Sequence, residues 1–357
     1  MSGLQASEVP GLDLTAFRGW YDAQRPGEIA GELSARVIPG GRSNLTYEVT
    51  DGTSWWIVRR PPLGHVQATA HDMGREYTAM SALAGTTVPV PTTYAHCADP
   101  DVLGAPFYVM ERVDGTAYRS VAQLAPLGPA RTAAIAGRMI DVLATLHQVD
   151  PASVGLAGFG RTEGFLERQV RRWGKQLEGS KTQDRPGADE LHRRLTARVP
   201  SDATAAGHAG IVHGDYRLDN LLTGADDQIK AVVDWEMATL GDTRTDLALL
   251  LVYDRLASLA AAGLVSDVSL APGYPSAEQH LQRYAAASGR DLGDLRSGMG
   301  FHLGLAYFKL AVILEGISYR YLQGQTVGEG FDRIGSGFDP LIEAGLSALG
   351  SDEMGRD

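Results

Sequence analysis

The chain has 357 residues, which at roughly 100 to 200 residues per domain allows two or three structural units around a large buried core and excludes a mini-protein held by staples. Lys and Arg number 32 against 43 Asp and Glu, and the formal charge of −11 argues against nucleic acid or an anionic membrane as partner, since both attract a Lys/Arg excess. Hydrophobic residues make up 44% and charged residues 21%, a globular balance, and the lone cysteine, Cys97, excludes an internal disulfide and a cysteine-based zinc cluster and fits a reducing compartment. The opening stretch MSGLQASEVPGLDL has neither a basic nor an apolar segment, so no secretory signal is expected and the chain is expected in the cytoplasm. Leu14, Phe17 and Tyr21 recur at helical spacing behind Asp13, a natural N-cap, which predicts a short amphipathic helix.

The period then changes. Residues 33–39, 45–50 and 55–60 are short and β-rich, separated by Gly40-Gly41 and by Asp51-Gly52, a strong hairpin signal, so three antiparallel strands are expected. Pro61-Pro62 ends the third. Residues 70–84 read as a helix with Met73, Tyr77, Met80 and Leu83 on one buried face, and 92–96 and 106–113 as further strands, which completes a five-strand, one-helix unit. From about Gln123 the pattern is mainly helical, over 130–147, 164–177 and long Ala/Leu-rich stretches after Asp246, with strand signals only at 210–212, 220–222 and 230–233. The expected fold class is α+β: a small antiparallel β-rich lobe over residues 1–112 and a larger, mainly helical lobe over 113–357, with a ligand cleft at their junction. The most apolar stretch, 301–322, is interrupted by His302, Lys309, Glu315 and Arg320 and reads as a buried helix rather than a membrane span.

The most informative string is IVHGDYRLDN at 211–220, followed by AVVDWE at 231–236. It sets acids and amides at the ends of apolar strands, where a carboxylate is costly unless it meets a cation, a donor or water. Asp215 and Asn220 lie five residues apart and Asp234 fourteen further on, so a loop and a hairpin can bring the three around one point. One carboxylate can then accept a proton from a hydroxyl while an amide oxygen and a second carboxylate hold a hard divalent cation. Phosphoryl transfer needs that set of groups. No H-E-x-x-H, G-x-S-x-G, Walker A or dinucleotide G-x-G-x-x-G string occurs, which removes support from metalloprotease, α/β-hydrolase and Rossmann readings.

HGDYRLDN followed by VVDWE resembles the catalytic loop and metal-binding Asp of the aminoglycoside phosphotransferase and choline kinase superfamily, distant relatives of protein kinases, whose pattern H-R-D-x-x-x-x-N has the same Asp-to-Asn separation. The resemblance covers about Val37 to Gly324 and implies a bilobal protein-kinase-like fold, ATP and Mg²⁺ as cofactors, and a small-molecule hydroxyl as acceptor. It makes Asp215 the catalytic base or hydroxyl-orienting carboxylate, Asn220 and Asp234 the Mg²⁺ ligands, and Asp246 the acid that anchors the catalytic loop, with His213 and Gly214 shaping that loop. Glu236 is left open between the metal site, the acceptor and an ion pair in the helical lobe.

In the first lobe, the segment from Pro39 to Asn44 stands where the family has its phosphate-covering loop, with Ser43 and backbone amides turned to phosphate; it lacks the full G-x-G-x-x-G spacing, and an ordinary hairpin turn is the alternative. Arg59 aligns with the kinase lysine, while Arg60 points to the opposite face because strand side chains alternate. Arginine still grips phosphate through its planar fork. Glu76 pairs with that cation or is an exposed helix residue, and the backbone at Glu111 and Val113 faces the adenine edge. The strings RRPPLG at 59–64 and RQVRRW at 168–173 resemble the branch of kinase-like domains fused to, or encoded alongside, acyl-CoA dehydrogenases. The acceptor is then a hydroxyacyl-type compound or an aminoglycoside, and Arg168, Arg171 and Arg172 either meet an anionic acceptor or form a wet helix face. His147 is expected in a satisfied, buried role. A nucleotide-binding module without turnover is the competing reading, favoured by the irregular phosphate loop and the missing lysine. Oligomeric state and the choice between ATP and GTP are not set by these motifs.

Overall fold

The carboxylate of Asp13 accepts from the amides of Thr15 and Ala16 at 2.8 and 3.0 Å and starts α1 (Leu14–Gln24), whose Phe17 and Tyr21 are wholly buried. The computed structural model describes residues 9–39, 44–63, 72–202, 205, 207–259, 266–324 and 331–350; Ser43 and the rest of the 40–43 loop lie outside them. Met1–Asp114 with Lys230–Ala238 form one compact unit, and Gly115–Ile229 with Thr239–Asp357 a second. A single boundary after residue 112 assigned 230–238 to the helical lobe. Those residues pack with the first unit instead, where Val232 N–H donates to Pro89 O and Arg75 Nε to Ala238 O, each at 2.8 Å.

In the first unit β1 (Ser34–Val37), β2 (Leu45–Thr50), β3 (Trp55–Arg60), β4 (Thr93–Cys97) and β5 (Phe107–Glu111) form one antiparallel sheet in the order β1-β2-β3-β5-β4. The hairpin joining β2 to β3 pairs Thr50 with Trp55 and Leu45 with Arg60. Its turn is built on Asp51, whose carboxylate accepts from the amides of Ala30, Thr53 and Ser54 at 2.8, 2.9 and 2.7 Å, and on Gly52, whose φ of 91° suits glycine. Phe17 and Tyr21 of α1 meet Phe107 and Trp56 on one face of the sheet, at ring separations of 6.3 and 5.9 Å. α2 (Met73–Leu83) buries Met73, Glu76, Ala79, Met80 and Leu83, so the face expected to be apolar also carries a glutamate, while Tyr77 is only half-buried. The one-helix expectation missed α3 (Pro100–Leu103), a single turn capped by Asp99 and ended by Gly104.

The second unit runs α4 (Val121–Leu124), α5 (Pro129–Gln148), α6 (Phe165–Glu178), α7 (Pro186–Ala197), β6 (Ala209–Val212), β7 (Leu221–Thr223), then β8 (Ile229–Val232) crossing into the first unit, β9 (Thr239–Asp242), α8 (Arg244–Leu259), α9 (Ala277–Ser288), α10 (Leu292–Ser297), α11 (Met299–Leu322) and α12 (Phe338–Gly350). β6 pairs antiparallel with β9, a strand with no clear sequence signal. α11 is long and apolar enough to cross a membrane by length and composition, yet 67% of its most apolar window is buried, and it packs against α6, α7, α8 and α12. This is the buried helix expected from its interrupting charges. One of them, Glu315, is fully buried, accepts from Thr182 N and Oγ1 at 2.8 Å, and pairs with Arg185 Nη2 at 2.8 Å.

Two measurements check this account. Glu315→Ala leaves the buried Arg185 guanidinium with only the exposed Asp339, 3.3 Å from its Nη1, and is expected to lower the unfolding free energy by about 2 to 4 kcal/mol in urea melts, with much of the loss recovered in an Arg185→Met/Glu315→Leu double variant. The backbone amides of Ser54, Ala30 and Thr53 hold the Asp51 carboxyl down to about 2. Its folded pKa therefore lies below the unfolded value, so the stabilisation is complete above about pH 4 and is lost as the pH falls toward the folded value. Asp51→Asn should flatten that limb of a plot of melting temperature against pH.

Candidate active site

Alternation along β3 separates its two arginines. Arg60 turns toward α1, where its Nη1 donates to the carbonyls of Gly11 and Leu103 at 2.6 Å each, and Arg59 turns to the opposite face. There Arg59 Nε lies 3.1 Å from Glu76 Oε2 and its Nη2 bonds Asp234 Oδ1. Glu76 has no solvent exposure: Tyr108 OH donates to Oε2 at 2.9 Å, and Asn44 Nδ2 donates both to its Oε1 at 3.1 Å and to Glu236 Oε2 at 3.0 Å. Glu76 is thus the buried partner of Arg59 rather than an exposed helix residue. Asp234 sits at φ 69°, a left-handed conformation that costs a non-glycine residue on the order of 1 kcal/mol or more. The wholly buried Trp235 next to it holds that turn, its indole N–H donating to Val232 O at 2.9 Å.

Burial pushes the Glu76 carboxyl up to about 7, against the pull of Arg59 and with a push from Asp234. Burial also works against the Arg59 charge, but Glu76 and Asp234 overcome it and hold the guanidinium above its ordinary value. One ligand oxygen from each of Glu76, Asp234 and Glu236 lies within 4.8 Å of the others, a set of hard donors whose chemistry fits Mg²⁺. Asn44 Oδ1, buried beside them, has no hydrogen-bond partner. Glu111 N–H is taken by Thr92 O at 2.8 Å and its carboxylate accepts from Thr92 N at 3.0 Å. Val113 follows β5 outside the sheet, half-buried.

In the second unit β6 runs straight into the HGDYRLDN loop. Asp246, buried without exposure near the start of α8, accepts from His213 N at 2.6 Å and Gly214 N at 2.7 Å, and His147 Nε2 lies 3.2 Å from the same carboxylate. His147 is held in turn by Tyr284 OH at 2.8 Å, the satisfied buried role expected of it. Burial raises the Asp246 pKa, yet His147, His213 and the Gly214 amide bring it below its ordinary value. Gly214 has φ 86°, a conformation that suits glycine, and its carbonyl accepts from Lys309 Nζ at 2.7 Å. Asp215 is then held on both oxygens: Tyr253 OH donates to Oδ1 at 2.6 Å and Asn220 Nδ2 to Oδ2 at 3.0 Å, with a further bond from Asn220 Nδ2 to the Asp215 carbonyl at 2.8 Å. Asn220 ends a short 3-10 turn and precedes β7 rather than starting a strand. A crevice of only about 10 Å³, room for about one water molecule, lies beside this loop between Arg217, Asp219, Tyr253, Asp254, Ser266 and Tyr274.

Spacing singled out Asp215, Asn220 and Asp234, and the family resemblance added Arg59 and Glu76; within each unit Arg59 meets Glu76 and Asp234, and Asp215 meets Asn220. Tyr253, Asn44 and Lys309 were missed as parts of these clusters. Lys309 had a signal, a charge inside the most apolar helix, where it must find a partner. The arginines of α6 spread apart: Arg168 donates to the carbonyls of Glu163 and Arg161, Arg171 lies 3.8 Å from exposed Glu167, and Arg172 stacks 5.4 Å from the Trp173 ring.

The model of the phosphotransferase enzyme family, APH, matches residues 34–294. Acyl-CoA dehydrogenase family member 11 of Gallus gallus is 33% identical over 325 residues, 90% of this chain and 41% of that protein. The chain thus spans about two fifths of the length of that curated relative. A candidate aminoglycoside phosphotransferase from Ralstonia eutropha JMP134 has a solved structure that is 32% identical, superposes with a TM-score of 0.78, and covers 95% of this chain and 98% of its own. The ternary complex of streptomycin, ATP and APH(2")-IIa, at 14% identity and TM-score 0.55 over 95% of this chain and 98% of that one, shares the fold. The chain belongs to the phosphotransferase enzyme family and has its kinase-like fold, and both support a small-molecule phosphotransferase.

The anchoring of the loop by Asp246 is directly testable. Asp246→Asn replaces one acceptor oxygen with a donor opposite the amides of His213 and Gly214, and is expected to lower stability by about 2 to 4 kcal/mol. Hydrogen exchange at those two amides should accelerate, measured by mass spectrometry or NMR.

Proposed function

We propose that this chain transfers the γ-phosphoryl group of ATP to a hydroxyl of a small molecule, with Mg²⁺ as the metal. The observation that carries the reading is Asp215 itself, a quarter-exposed carboxylate whose two oxygens are held by Tyr253 and Asn220 at the end of HGDYRLDN. A carboxylate fixed in this way orients an acceptor hydroxyl and accepts its proton as the oxygen attacks.

Asp234, with Glu236 and Glu76 beside it, has the oxygen chemistry for Mg²⁺, and the family resemblance makes Asn220 a metal ligand as well. Bound Mg²⁺ would neutralise charge developing on the phosphoryl oxygens. Arg59, fixed by Glu76, is the side chain for the ATP phosphates, and its planar fork offers two parallel donors where a lysine offers a point charge. Ser43 and its neighbouring amides, and the backbone of Glu111 and Val113, complete the proposed nucleotide contacts. For the acceptor, the names of the curated relatives support a hydroxyacyl-type compound over an aminoglycoside.

Asp215→Ala is expected to reduce phosphorylated product about 10²- to 10⁴-fold while ATP affinity, read from the melting shift with MgATP, changes less than about threefold. Chelation by EDTA should remove turnover from the intact protein. Full turnover by Asp215→Ala would overturn the assignment. ATP binding with no product across hydroxyacyl and aminoglycoside acceptors would identify a nucleotide-binding module instead.

A further inference from the structure

Asp246 and Tyr253 lie seven residues apart on α8, two turns on, and so share one face of the helix. The first fixes the backbone of the loop at His213 and Gly214; the second reaches the side chain of the next residue, Asp215, with a 2.6 Å hydrogen bond to Oδ1. Burial, and after it the charge of Asp215, push the Tyr253 phenol well above its ordinary pKa, so this hydroxyl is a permanent donor. The ring is held as well. The Arg217 guanidinium lies 4.9 Å from its centroid, while Arg217 Nε is 3.8 Å from the other carboxylate oxygen, Oδ2.

These contacts have a geometric consequence. The terminal torsion of an aspartate is broad and roughly two-fold, so one donor leaves the carboxylate free to swing about that contact. Asn220 supplies one donor, on Oδ2, and ties itself to the Asp215 carbonyl at the same time. A second donor on Oδ1, brought from a helix rather than from the loop, removes the remaining rotation. Displacing a reacting group by about 1 Å costs on the order of 100-fold in rate, so the bond has a kinetic role whatever it contributes to stability.

We propose that Tyr253 is a positioning residue for phosphoryl transfer: its hydroxyl sets the rotation of the Asp215 carboxylate so that a lone pair points at the acceptor hydroxyl. The proposal rests on the reading of Asp215 as the hydroxyl-orienting carboxylate. It deepens that reading by naming the group outside the motif on which the orientation depends.

The full chain is assayed with MgATP, using ADP release to water as the basal reaction and product formation on the best acceptor of the screen above. Tyr253→Phe is expected to lower kcat about 10- to 100-fold with KM for ATP unchanged within twofold and a melting temperature close to that of the parent. 3-Fluorotyrosine at position 253 keeps the donor and should restore kcat to within threefold. A downfield, slowly exchanging hydroxyl proton should be visible by NMR and vanish in both Tyr253→Phe and Asp215→Ala. Parent-like kcat in Tyr253→Phe alongside an inactive Asp215→Ala overturns the role of Tyr253 alone, as does the absence of that proton in the parent. Full activity in Asp215→Ala overturns the underlying reading. A fall in melting temperature with kcat and KM unchanged leaves Tyr253 a purely structural residue and also rejects the proposal.

Discussion

A carboxylate with no access to water, Asp246, sets the geometry of the second unit's loop. It cannot stay ionised there unless donors replace the lost solvent, and two of its donors are main-chain amides of the loop, at His213 and Gly214. The need to solvate one buried charge therefore dictates the path of the chain immediately before Asp215. The left-handed turn at Gly214 directs its amide to Asp246, while Lys309 donates to the carbonyl of the same residue. Once the backbone is fixed, only side-chain torsions of Asp215 remain, and Asn220 and Tyr253 act on those.

The first unit applies the same physics with the sign reversed. Arg59 is the cation placed between Glu76 and Asp234, and its shape matters as much as its charge. A guanidinium presents donors along two edges of a plane, so one side chain addresses two carboxylates that a compact ammonium would have to choose between. Three carboxylates gathered around it, counting Glu236, leave the cluster electrostatically receptive to a further positive charge. The amide of Asn44, donating to both Glu76 and Glu236, bridges those two carboxylates.

Local chemistry was legible in the sequence, and long-range chemistry was not. Asp13 and Asp51-Gly52 announced a helix start and a hairpin because each works through its own neighbours, and the Asp215 to Asn220 spacing worked because five residues close one loop. β9 stayed hidden in Thr239–Asp242, four residues without alternation, and α7 because Leu191 and Leu195 give its polar sequence only a narrow apolar stripe. Tyr253 joins Asp215 across 38 positions, and Asn44 joins Glu236 across 192, distances over which no periodicity speaks. What the sequence did carry for such residues was inconsistency: a glutamate between Met73 and Met80 on a buried face, and a lysine amid the apolar run of α11.

Asp254 makes the same point within a single helix. It stands eight residues after Asp246 on α8 and is largely buried, yet the two aspartates move in opposite directions. Asp246 has two amides and an imidazole turned to it and sits below the usual carboxylate range. Asp254 has a bond from Tyr274 OH to one oxygen at 2.8 Å and none to the other, with His280 3.4 Å away and itself pushed down to about 4, and burial raises it to about 7. Donor count rather than depth separates the two. With a pKa of about 7 Asp254 is only partly ionised near neutral pH, whereas Asp246, held by its donors, stays charged.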